Sequence, residues 1–146
     1  MGMLADFFAA DAADALRYAR RADDPDEGDG ITAALAPLQY NGIGSLDIGM
    51  LWAILEGGDW NAKRYMPEGV RLDDEGEAWL DRFPDDLTRL LADADGGTLA
   101  RTADRWAQAG ELDWSADELR PLLDDLHALA RRAVAAGKSV YLWGCL

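Results

Sequence analysis

Few residues in this chain are equipped for chemistry. One histidine, His127, and one cysteine, Cys145, stand among 28 acidic and 14 basic side chains. A serine or cysteine nucleophile needs a base beside it, so any triad would have to use His127. Its surroundings argue against that role. It lies three residues after Asp124 and four before Arg131, on the polar side of an amphipathic segment, where a histidine faces solvent. Cys145 follows an apolar run one residue from the end, with nothing adjacent to stabilise a thiolate, and reads as a small hydrophobe. A zinc cage needs several His or Cys ligands that the composition does not supply. No catalytic residue, metal or cofactor is therefore assigned.

The acids offer three adjacent pairs, Asp73-Asp74, Asp85-Asp86 and Asp124-Asp125. Neighbours on a helix point about 100 degrees apart, so adjacency does not build a shared ligand set, and surface or capping roles fit better. The run from Asp23 to Gly30 holds the register Asp24-x-Asp26-x-Gly28 of a calcium loop. It lacks the third acid and has Leu35 where a bidentate glutamate belongs. Gly42-Ile43-Gly44-Ser45 opens a helix and offers free N–H groups to an anion. No lysine follows, and Asp47 places negative charge in that first turn, so the glycines serve chain entry instead.

The aromatics are more suggestive. Tyr40, Trp60 and Tyr65 lie in segments bounded by glycine and proline rather than on a helical stripe, and rigid aromatics anchor contacts well. With Asn41, Asn61 and Arg64 they form the candidate binding set, lining a pocket or a partner surface. The competing reading is that they plug the edge of the core.

The elements that must carry these residues are clearest near the C-terminus. Ser115 and Glu118 form a capping box, flanked by the apolar pair Trp114 and Leu119. Leu119, Leu122, Leu123, Leu126, Leu129, Ala130 and Ala133 then recur at helical spacing, and Gly137 ends the helix. Pro121 should kink this helix or move its start. Ser139 to Trp143 is β-branched and aromatic and predicts an interior strand.

At the other end, residues 3–8 predict a first strand and Asp11 caps a helix running to about Arg21. Residues 23–30 predict a solvated loop, because like charge, proline and glycine coincide. Residues 31–38 predict a second strand, or else a turn of helix, ended by Pro37 either way. Ser45 caps a helix that buries Leu46, Met50, Leu51, Ile54 and Leu55, and Asp59 caps one or two turns before Pro67. Residues 78–83 predict a strand after an acidic loop at 73–77. Pro84 opens the next helix, and Thr98 caps another that carries Trp106 and stops at Gly110.

The chain has 146 residues, which fits one domain, 1–146, that buries most of its apolar surface. Six tryptophans and a hydrophobic share of 49% predict a packed core. A formal charge of −14 repels phosphate backbones and anionic lipid heads, so neither nucleic acid nor membrane is an expected partner. A basic protein is. A lone cysteine forms no internal disulfide, the first residues lack a signal-peptide pattern, and no apolar run reaches the roughly 20 residues of a membrane span. The expected compartment is the cytoplasm.

Met1-Gly2-Met3, then Leu46-Asp47 leading to Leu51-Trp52 with a later Trp60, then Arg132-Ala133 and Ala136-Gly137 before a last strand, give the chain a likeness to a known family. It resembles the YfbM-like family of uncharacterised bacterial proteins. That family has no assigned activity, so the resemblance implies an α+β fold alone. The expectation is accordingly α+β: a sheet of three or four strands, the first and last among them, packed with four to six helices. The expected function is a small acidic binding or interaction protein, immunity- or inhibitor-like. The alternative is a small-ligand-binding protein or a carboxylate-based enzyme.

Overall fold

A computed structural model describes residues 3–72, 76–109 and 112–146. The fold is α+β, with a five-stranded antiparallel sheet in the order β2-β1-β5-β4-β3. The strands are β1 (Leu4–Ala10), β2 (Leu38–Asn41), β3 (Glu68–Val70), β4 (Ala78–Arg82) and β5 (Ser139–Cys145). Among the described residues six helices accompany them: α1 (Ala12–Ala19), α2 (Pro25–Leu35), α3 (Ser45–Glu56), α4 (Asp85–Asp93), α5 (Gly96–Gln108) and α6 (Ala116–Ala136). The sheet has one strand more than expected, the three-residue edge strand β3.

The first and last strands sit side by side in the middle of the sheet, where both faces are covered. Ala5 and Phe7 of β1 and Val140 and Leu142 of β5 point into the larger core, against α3 to α6. Phe8, Ala10 and Tyr141 point the other way, into a smaller core under α1 and α2. This is why these strands read as continuous apolar runs instead of alternating ones. Leu119, Leu122, Leu123 and Leu126 of α6 are fully buried, each worth about 2 kcal/mol of transfer energy. Ser115 and Glu118 form the capping box foreseen in the sequence, and Gly137 ends the helix at φ 68°. Pro121 lies inside α6, which begins at Ala116 all the same, so the helix tolerates the missing N–H without moving its start.

The smaller core is closed by a polar stitch. The Tyr18 hydroxyl donates to Asp6 Oδ2 at 2.5 Å, and the Arg21 guanidinium lies 4.0 Å from the ring centroids of both Tyr18 and Trp143. Burial, then the bond to Asp6, pushes the Tyr18 hydroxyl pKa well up.

Several local expectations are corrected. Residues 23–30 are not a loop, and 31–38 follow the helical alternative and not the strand: both belong largely to α2. Asp24 caps that helix, Pro25 occupies its first position, and Asp26 and Glu27 sit in the first turn, where the helix dipole favours acids. Gly28 permits the close approach, since a Cβ there would overlap the backbone of Arg21. At α3 the cap position belongs to Gly44, whose N–H donates to Asp47 Oδ2 at 2.9 Å, and Ser45 is the first helical residue. Pro84 precedes α4 as its cap, and Asp95, not Thr98, caps α5. Residues 59–66 form a single turn held by Asn61, whose Oδ1 accepts from the N–H groups of Lys63 and Arg64. Met1, Gly2, the pair Asp73-Asp74 and the helix stop at Gly110 lie outside the described residues.

Candidate functional site

The strand register brings four chain segments to one end of the sheet. Leu4 pairs with both Asn41 and Cys145, and Cys145 pairs with Ala78. Just beyond them α3 begins, and a cleft of ≈ 710 Å³ opens there. Ser45, Asp47, Trp79, Asp113 and Trp114 line it, with Met3 at its edge. Two carboxylates and two indoles face this space, and among the described residues no lysine, arginine or histidine lines it.

Each wall is held by a specific contact. Trp79 lies over Gly144 of β5 so closely that a Cβ on the glycine would overlap the indole ring. Trp114 leans on Tyr40, ring centroids 6.3 Å apart, and the Tyr40 hydroxyl donates to Asp125 Oδ2 at 2.5 Å. Burial, reinforced by that bond, pushes the Tyr40 pKa up to about 12. The Trp106 indole N–H donates to the carbonyl of Asp47 at 3.1 Å and pins α5 to the first turn of α3. Behind Ser45, its hydroxyl donates to the carboxylate of Asp81 on β4. Asp81 is only 7% exposed, and burial raises its pKa although the serine bond opposes the shift.

The six residues singled out by sequence are divided between the two ends of α3, which at 12 residues is about 18 Å long. Tyr40 and Asn41 are on β2: Tyr40 stands behind the Trp114 wall, and Asn41 is exposed one residue before Gly42, which borders the cleft. Trp60, Asn61, Arg64 and Tyr65 follow α3. Trp60 is exposed, Asn61 holds its turn, and Tyr65 is buried edge-on against Trp52 at 5.4 Å. Arg64 pairs with Glu56 and borders a second cleft of ≈ 480 Å³, lined also by Asp86, Arg89 and Asp93. Tyr65 is thus a core residue, and Tyr40 positions a wall.

Sequence reading missed Asp47, Trp79, Asp113 and Trp114 as a group. The signal available was Gly144 inside an apolar strand, which marks close approach by another group, here Trp79. His127 also differs from expectation. It is half-buried, and its Nδ1 lies 2.6 Å from the carbonyl of Leu91, so the ring donates to the last turn of α4. Cys145 is half-buried at the end of β5, its thiol directed to the carbonyl of Leu146 at 3.6 Å. Among the described residues no group of three or more His, Cys, Asp or Glu is placed to hold a metal, and no helix is long and apolar enough to cross a membrane.

No family model matches this chain, and no curated protein matches it. Among solved structures the chain is similar, over 100% of its own length and 100% of the other's, to YfbM from Escherichia coli, a protein of unknown function, at 13% identity and a TM-score of 0.40; this is the family whose likeness its residues carry.

Proposed function

We propose that this protein is a non-catalytic binding protein for a basic protein partner, immunity- or inhibitor-like, acting in the cytoplasm. One observation carries the reading: the cleft at the start of α3 presents Asp47, Asp113, Trp79 and Trp114, with no base among the described residues that line it. A lysine or arginine side chain entering there finds carboxylates for its charge and indole faces for its stem and cation. The formal charge of −14 adds long-range attraction that speeds encounter with a positive surface and discourages anionic ones.

The cleft volume also suits a free organic amine, the alternative reading, and both share ammonium recognition. Six tryptophans give six indole N–H resonances, so a titration can be read residue by residue. A lysine-rich peptide should shift the signals of Trp79 and Trp114 and leave Trp52 and Trp60 in place. Asp113→Asn should weaken that peptide about threefold, the size of an exposed charge contact. A response to ethylammonium as tight as to the peptide would favour the small-ligand reading. An equal drift of all six indoles, or none, would end both.

A further inference from the structure

At the opposite end of the sheet, where β4 finishes and β5 begins, lies a small basic pocket. A hollow of ≈ 300 Å³ lies between the end of β4, the first turn of α4 and the turn joining α6 to β5. Arg82, Arg89 and Lys138 line it, three of the chain's 14 bases, against one carboxylate among the described lining residues, that of Asp85. That carboxylate is already engaged, since Arg82 Nη2 donates to Asp85 Oδ1 at 2.8 Å. Arg82 is further fixed by Glu68 Oε2 at 3.0 Å and Ser139 Oγ at 3.1 Å. Arg89 and Lys138 are exposed and have no ion-pair partner among the described residues.

In a molecule with twice as many acids as bases, a hollow bordered by three bases is a local reversal of sign that favours a negative visitor. The first turn of α4 borders the same space through Asp85 and Thr88, and Pro84 supplies no side-chain cap to its N–H groups. Val134, 49% exposed, forms an apolar rim.

We infer that this hollow is a binding site for an organic phosphate, its oxygens held by Arg89 and Lys138 and its apolar body resting on Val134. Two cations from separate elements match a dianion with three equivalent oxygens better than a single carboxylate.

Phenyl phosphate and inorganic phosphate, titrated at constant ionic strength with chloride as balance, test this by backbone amide shifts. The expected result is a saturable response centred on Arg89, Lys138 and Ser139, with phenyl phosphate binding more tightly than phosphate. Arg89→Ala combined with Lys138→Ala should weaken phenyl phosphate about tenfold, the loss of charge-assisted contacts. Both side chains are solvent-exposed, so an unchanged melting temperature will show that the variant is folded. Phosphate binding as tightly as phenyl phosphate would remove the ester and leave a free-phosphate site. Shifts equal to those at the remote Lys63, or a double variant that binds unchanged, would overturn the proposal.

Discussion

The Ser45 hydroxyl is bonded to the Asp81 carboxylate, a contact that spans 36 positions of sequence and joins the first turn of α3 to the sheet. Asp81 thereby holds the floor of the cleft, at the cost of a buried acid. Burial is the dominant influence on it and raises its pKa above the ordinary 3.8, while the serine bond opposes this. A raised folded-state value means stability that is present below the unfolded pKa and is lost as pH rises through the folded one. Asp81→Asn keeps an acceptor for Ser45 and removes the ionisation. It should raise the melting temperature at pH 7 by about 3 °C or more, and the gain should vanish below pH 4. Thermal melts of both proteins across that range check it; a variant less stable at pH 7 would mean that the carboxylate is stabilised by its site.

Tyr40 gives the opposite end of the pH scale. Desolvation, then the bond to Asp125, lifts its pKa from 10.0 to about 12. The folded state therefore keeps the phenolic proton after the unfolded chain has lost it, and Tyr40's contribution is whole below pH 10 and lost as pH climbs through 12. Tyr40→Phe should cost about 1 kcal/mol at pH 7, the worth of one half-buried hydrogen bond. Between pH 10 and 12 the gap between wild type and variant should close. Denaturant midpoints at pH 7, 10 and 12 measure this, and parallel curves would contradict the assignment.

α2 shows where the sequence misled. Its first turn looks like a loop because acids, proline and glycines cluster there, yet acids and proline are favoured at a helix start. Its end was hidden for a different reason: the residue that turns the chain is Ala36, at φ 45° and ψ 61°, where a glycine would have announced the stop. Ala36→Gly removes the Cβ strain and should stabilise the protein by about 1 kcal/mol, a gain partly offset by the freer unfolded chain. Chemical denaturation reads the sign directly, and a loss of stability would show that the left-handed turn is unstrained.

Elements fixed by local chemistry were legible, and relationships fixed by register were not. The capping box at Ser115, the stripe of α6, the stop at Gly137 and the two central strands all follow from short-range spacing. The cleft does not, because Asp47, Trp79 and Trp114 come from three segments that meet only once β5 has paired with β4 and β1, and β1 with β2. Likewise Tyr40 and Tyr65 share a composition and a setting in sequence, but α3 separates them. His127 looked solvent-facing because its helical neighbours are polar, and its true partner, the carbonyl of Leu91, belongs to another helix.

Gly144 is the residue on which the cleft and the sheet jointly depend. It lies in β5 opposite Trp79 of β4 and under the indole, so the ring occupies the volume that any side chain would need. Gly144→Ala must therefore push Trp79 outward or open the β4–β5 pair, an overpacking cost of about 2 kcal/mol. Gly69 on β3 offers the control, because a Cβ there meets open space. Its alanine variant should stay within about 0.5 kcal/mol of wild type, as surface changes do. The same displacement should move the Trp79 indole resonance and remove its response to a lysine-rich peptide, although Asp47 and Asp113 are untouched. Equal stability of the two alanine variants, with Trp79 still responsive, would show that the indole does not need the glycine and that its place over β5 is not what shapes the cleft.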